Sequence, residues 1–437
     1  MMLAKKSYSQ DSLKAYIQYG LENNLTLLNK NTDLEKAGYA LSIAKSYFLP
    51  SVNFNGLVSH AQGGRYADLP LGDMLNPVYS TLNQLTSSGS FPQIDNQSIQ
   101  FLPQKYYDVY IRTSMPLYNP MLKINQSLVQ SQIQIKELQL DVYKRELVLQ
   151  IKSAYYNIQS AHSGIQIYQQ ALVLLEKNLQ VNQSLYNNGK ALPAQVLRAK
   201  SELDKIKAQL KQAQTDFIQA RSYFNFLINK PLQSDVHLLN QTETEQLLMN
   251  TSDSGNIQNR EELKLLNVNG EVQQSLLKMS QSQLLPSIQA FADIGAQAVD
   301  FEVSKKAPYY MVGISVSVPI YTGSKNKSVI KQSQLDCRIN DNEIENTKNA
   351  LQLSQSIVWQ KLVACQDKLT AEISALKSAE AYYQIIERGY LEGINSQIEY
   401  VDARSQLTES QMRKNLALFE LLKTQAELER ENASYTF

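Results

Sequence analysis

Two cysteines, three histidines and a single tryptophan are all that the 437-residue sequence holds of those types. His60, His162 and His237, with Cys337 and Cys365, are too few and too scattered to build a zinc or iron–sulfur centre. On one helix the two cysteines would lie about 42 Å apart, far beyond disulfide reach, so no disulfide framework exists and cysteine usage does not report the compartment. Sixteen glycines and twelve prolines are few for an α/β nucleotide-binding enzyme, and no Gly-rich phosphate loop or Walker-type lysine is present. None of the histidines, and no serine or acidic group, has a paired nucleophile in recognisable local context. Catalysis and a bound cofactor are therefore not expected. The formal charge is +1, from 42 basic and 41 acidic residues. That gives no bulk attraction to nucleic acid or to an anionic membrane. No run of 18 apolar residues offers a transmembrane helix. Residues 1–10 lack the apolar segment of a signal peptide, so the chain is either cytoplasmic or has lost a targeting segment.

What the sequence does have is internal repetition. Phe48-Leu49-Pro50-Ser51-Val52 returns as Leu284-Leu285-Pro286-Ser287-Ile288, and Met115-Pro116-Leu117-Tyr118 as Val318-Pro319-Ile320-Tyr321. Tyr186-Asn187-Asn188-Gly189 returns as Tyr390-Leu391-Glu392-Gly393, and Ala199-x-Ser201-x-Leu203 as Ala403-x-Ser405-x-Leu407. The anchors keep their order, as a duplicated domain requires. Their spacing differs in one place, so the first half carries an insertion at about 60–105. Rich in Gly, Pro, Asn and Ser, it reads as a long loop.

Each half mixes two periodicities. Apolar residues at Leu140, Tyr143, Leu147, Ile151, Ala154, Ile158, Ala161, Ile165, Tyr168, Leu172, Leu175 and Leu179 recur at a mean near 3.5, the coiled-coil period. Leu203, Ile206, Leu210, Ala213, Phe217, Ala220, Phe224 and Leu227 continue it on a return helix, and Val358 through Tyr390 repeat it in the second half. Cys365 falls on that seam as a small apolar residue. Gly189 supplies a helix stop and Pro193 suits the first turn of the next helix. Each half thus holds a long antiparallel helical hairpin, with tips at 188–194 and 392–397. Four runs of about ten residues alternate apolar with polar instead: about 50–59, 107–117, 286–295 and 309–319. Tyr or Phe clusters mark their ends, as in a membrane-spanning β-strand with aromatic girdles. A soluble coiled-coil scaffold with a small sheet explains the heptads equally well, but not these four runs. Four strands cannot close a barrel, since the smallest use about eight; four from each of three chains could.

The duplicated order of helix, strand, strand and helical hairpin, with proline at each helix–strand junction, resembles the TolC family of outer membrane efflux proteins over about residues 10–431. Ser12-Leu13-x-x-Tyr16-Ile17, followed by Glu22-Asn23-Asn24, is similar to that family's first helix. The resemblance implies a mainly α fold with a membrane β-barrel portion. A homotrimer would form a twelve-stranded outer-membrane barrel in lipid, continued by a twelve-helix periplasmic α-barrel. It implies one repeat at 10–229 (hairpin 122–229), a connector at 230–257 and a second repeat at 258–431 (hairpin 324–431). Removal of a signal peptide is also implied, and the lack of a cysteine near the start does not favour the family's lipid-anchored variant. The implied role is a passive exit duct for drugs or other cargo, located in the cell outer membrane and extending into the periplasm. Its partners would be a periplasmic adaptor and an inner-membrane pump of RND or ABC type. The family's acidic pore constriction falls on Glu399 and Asp402. Its tip-closing positions fall on Tyr390, Gln195, Asn395 and Ala194, where Gln195 stands for the usual Asp and Asn395 for the usual Arg. Adaptor docking falls on Asn188, Gly189, Lys190, Leu192, Gly393 and Ile394.

Overall fold

The computed structural model describes residues 8–240, 257–300 and 305–437, so residues 241–256 of the expected connector lie outside the described residues. In chain order the described helices and strands are α1 (Tyr8–Asn23), α2 (Leu25–Ser46), β1 (Ser51–His60), β2 (Tyr66–Leu69), α3 (Leu71–Thr86), β3 (Gln97–Gln100) and β4 (Lys105–Tyr118). They continue with α4 (Pro120–Asn187), α5 (Pro193–Leu227), α6 (Glu261–Ser282), β5 (Ser287–Val299), β6 (Pro308–Ser317), α7 (Lys325–Leu391) and α8 (Gln397–Glu431). No described helix is long and apolar enough to cross a membrane. The molecule divides into two compact units. One gathers Met1–Tyr39, Val129–Gln274 and Ser333–Phe437; the other gathers Ala40–Leu128 and Ser275–Gln332. Each sequence repeat therefore contributes to both.

The first unit is helical. The seam residues Leu147, Ile151, Ala154 and Ile158 of α4 are buried with Phe224 and Leu227 of α5, Leu362, Cys365 and Leu369 of α7, and Leu418, Leu421 and Leu422 of α8. Burying each large apolar side chain contributes about 1.5–3 kcal/mol, which fixes the helix faces. Cys365 sits inside this core against the Thr424 hydroxyl, a packing residue as its seam position predicts. His162 packs its ring against Phe217. Nearer the tips the seam continues as two separate clusters, Ala171, Leu175, Leu203 and Ile206 in the first hairpin and Ala379, Tyr383, Ile386, Tyr400 and Leu407 in the second. At the opposite ends of the hairpins, a buried charge network joins the start of α6 to α4 and the end of α8. Arg145 bonds both carboxylate oxygens of Glu261. Arg260, 1% exposed, bonds Glu262 at 2.8 and 3.0 Å and Glu431 at 2.7 Å.

The second unit holds a four-stranded antiparallel sheet ordered β1-β4-β5-β6. Its strands coincide with the four alternating runs, each shifted or extended by a few residues. Cross-strand partners share a face, so register sorts the residues. One face carries Val52, Phe54 and Val58, Val109 and Ile111, Ala292 and Ile294, and Val312, Ile314 and Val316. Most of these are exposed in the chain. The other face carries Asn53 and Asn55, Asp108, Tyr110 and Arg112, Asp293 and Gln297, and Tyr309. A soluble two-layer sheet would cover its apolar face; here that face stands uncovered.

The insertion is not the plain loop its composition predicts. It folds as an antiparallel pair, β2 with β3, that brackets α3. Pro77 inside α3 and the flanking Gly, Ser and Asn residues hid the helix from a compositional reading. Its stability comes from asparagines acting as clamps: Asn83 both donates to and accepts from the Phe91 backbone, and Asn76 does the same at Ile94. These bonds satisfy an extended segment that has no sheet partner.

Candidate functional site

Both hairpin tips are built alike. Helices α4 and α7 end in the same six-residue closure: Lys190 N–H donates to Leu185 O and Gly189 to Tyr186 O, while Ile394 donates to Gly389 O and Gly393 to Tyr390 O. Gly189 and Gly393 have φ of 71° and 76°, the left-handed cap conformation that a Cβ disfavours. Replacing Gly393 with Ala should therefore cost about 1 kcal/mol. Proteolysis of the purified protein checks this, with faster cutting confined to residues 391–396 as the expected result.

The return helices start at equivalent third positions, Gln195 in α5 and Glu399 in α8. Gln195 Oε1 accepts from Leu192 N at 3.2 Å, and Leu192 has no side-chain acceptor to reciprocate. In α8 the box is complete: Ser396 Oγ accepts from Glu399 N, and Glu399 Oε2 accepts from Ser396 N at 2.7 Å. Ser396 and Asn395 bonds hold the Glu399 carboxyl below the usual range, the Ser396 backbone bond being the largest contribution.

Asp402 faces the first hairpin. Arg198 of α5 donates to it at 3.0 Å across a solvent-exposed gap. Two neutral bonds accompany this pair: Gln397 Nε2 donates to Gln195 O at 2.8 Å, and Asn182 Nδ2 to Tyr390 Oη at 3.3 Å. Within the chain, Tyr390 Oη thus accepts from Asn182, while Gln195 Oε1 caps its own helix. Asn395 packs over Gly389, where a Cβ would collide with its Oδ1, and Ala194 lies exposed in the first turn of α5. Neither joins the hairpins.

Sequence reasoning missed Arg198, Gln397 and Asn182. A signal existed for the first: Arg198 and Asp402 occupy equivalent positions in the repeat with opposite charge. Behind them lies a tyrosine cluster. Tyr390 stacks on Tyr400 at 4.8 Å, and Tyr383 donates to Glu387 at 2.7 Å. Burial pushes the Tyr383 phenol well above its ordinary value and lowers the basicity of buried Arg404, whose guanidinium lies over the Tyr383 ring. At the outermost turns Asn188, Gly189, Lys190, Leu192, Gly393 and Ile394 are all exposed, and Leu391 adds a third large apolar side chain to Leu192 and Ile394.

A family model described as outer membrane efflux protein matches residues 16–229 and 256–430. Among curated proteins, none matches the chain in sequence. Solved structures do match in fold. The outer membrane protein VceC of Vibrio cholerae is 14% identical, with 97% of this chain and 96% of that one covered and a TM-score of 0.73. The CmeC outer membrane channel of Campylobacter jejuni is 14% identical, with 99% and 90% covered and a TM-score of 0.74. The open state of the MtrE outer membrane channel of Neisseria gonorrhoeae is 14% identical, with 96% and 88% covered and a TM-score of 0.74.

Proposed function

The chain belongs to the outer membrane efflux protein family and is an outer-membrane efflux channel reaching into the periplasm, and from that premise we propose that three copies assemble into one passive exit duct. The observation that carries the assembly is the sheet. Among the described residues, β1 and β6 each pair on one side only, and the apolar face is uncovered. Free edges of this kind demand partners. Edge-to-edge closure of three copies gives twelve strands, apolar side toward lipid and polar side toward the lumen. The insertion between β1 and β4 then lies outside the cell, where a large polar loop is tolerated. Energy comes from an inner-membrane pump of RND or ABC type, coupled through a periplasmic adaptor. The adaptor docks on the exposed tips, with Leu192, Leu391 and Ile394 as apolar anchors and Lys190 beside them.

Glu399 and Asp402 form the narrowest ring of the mouth in this reading, and Arg198–Asp402 is the charge-assisted link that holds each pair of tips. Such bonds are roughly twice as strong as neutral ones, so the link of Tyr390 to Asn182 contributes less. Planar-bilayer recording from purified trimer tests the assignment. Glu399→Ala with Asp402→Ala should raise anion conductance, lower the cation-to-anion permeability ratio by about tenfold and weaken block by multivalent cations. An unchanged ratio would remove both acids from the pore and leave them as a helix cap and a surface pair. A detergent-free species that elutes as a monomer would remove the duct itself.

A further inference from the structure

The polar face of the sheet carries three charged side chains: Asp108 and Arg112 on β4 and Asp293 on β5. They are not equivalent. Arg112 Nε and Nη2 both donate to Asp293, each at 2.7 Å, and the Asp293 side chain is 1% exposed beneath the guanidinium. The rings of Tyr110 and Phe291 flank Arg112, each 5.2 Å from the guanidinium carbon. A pair this close acts as a short dipole, and its field falls off faster than that of a free charge. Among the described residues Asp108 has no ion pair, and the Tyr309 hydroxyl donates to it at 3.0 Å. Tyr309 stands on β6, two strands away, and reaches across β5 at Gly295, where a Cβ would collide with Tyr110. Glycine there keeps the crossing open. Lys105, at the start of β4, has the parity of the apolar face and does not neutralise Asp108.

We propose that Asp108 sets the charge preference of the β-barrel lumen, as a ring of three carboxylates favouring cations, while the Arg112–Asp293 pairs are electrically silent. This rests on the trimeric barrel reading above. In that barrel the sheet's polar face lines the path, and every subunit adds one unbalanced negative charge at the same height. Tyr309 fixes the carboxylate against the wall without neutralising it. Tyr106 and Tyr110 occupy the neighbouring positions of β4 on the same face. Carboxylate and aromatic rings together suit cationic cargo, and amphiphilic amines in particular.

The experiment uses the full-length trimer in planar bilayers under a KCl gradient, in a Glu399→Ala, Asp402→Ala, Arg198→Gln background, which removes the acids of the mouth together with the cation that pairs with Asp402. Asp108→Asn should lower the cation-to-anion permeability ratio severalfold. Arg112→Gln should raise it, and the double variant Arg112→Gln with Asp293→Asn should leave it where the background stands. A ratio indifferent to Asp108→Asn, or moved as far by the double variant, overturns the proposal. Heat-modifiable migration of the trimer confirms assembly of each variant; if the double variant does not assemble, the Asp108→Asn result alone decides. Failure of the parent protein to form any channel would instead overturn the barrel reading, a distinguishable outcome.

Discussion

Replacing Arg260 with Ala should destabilise the helical unit by about 3–5 kcal/mol, the range found when one partner of a buried ion pair is removed. Its guanidinium makes four bonds to Glu262 and to the side chain and backbone oxygen of Glu431. Arg430 keeps one bond to Glu431 and a longer one to Glu262 at 3.5 Å, too few to replace the four that Arg260 makes. The midpoint of chemical unfolding in detergent, followed by circular dichroism, measures the loss. The difference from the parent should also depend on pH. Burial raises the Glu262 carboxyl, but the Arg260 hydrogen bond and charge outweigh burial and hold it below its ordinary value. A lowered folded-state pKa gives stability that is present above the unfolded value and lost as pH falls through the folded one. The gap between parent and variant should therefore be full at neutral pH and narrow below about pH 4.3.

Phe224→Ala should cost about 3–5 kcal/mol, a transfer and cavity penalty at a fully buried ring. Phe224 meets Tyr16 edge-on at 5.3 Å and Tyr155 at 5.9 Å. Both tyrosine hydroxyls then hold His237, Tyr155 donating to its carbonyl and Tyr16 accepting from its N–H. Three helices and the chain leaving α5 converge on one ring. Thermal unfolding should drop sharply in the Ala variant and markedly less in Phe224→Leu, which keeps most of the volume. Equal losses would place the effect in the aromatic contacts rather than in the cavity.

The helical seams were legible because a 3.5 period sustained over 39 residues admits one face only, and Leu147, Ile151 and Ile158 are buried where that face predicts. The strands were legible for a similar reason, since alternation flips side chains between faces with every residue. The sequence did not reveal α3. Its core is a set of side-chain clamps to the 91–96 backbone, and asparagines doing that work look identical to loop asparagines. Nor did it reveal the tip links. Gln195, a closure position by resemblance, and Glu399, a pore position by resemblance, also cap the helices they begin, a second role that no periodicity marks. Arg198 was overlooked because one residue of an exposed pair has no periodicity of its own. Only the comparison of equivalent positions, basic in one hairpin and acidic in the other, would have exposed it.

The two return helices both measure 35 residues, and each lies between a left-handed cap at the tip and a second one at its far end, at Asn229 and Ala433. Thirty-five residues are five heptads. A change of length in one hairpin alone would carry Arg198 and Asp402 out of line and rotate one seam away from its mate. Length in this molecule is thus a shared, stepwise quantity. Descendants or designed chimeras that reach farther must add whole heptads to all four long helices at once, and a single-hairpin graft will join only to a donor of the same count.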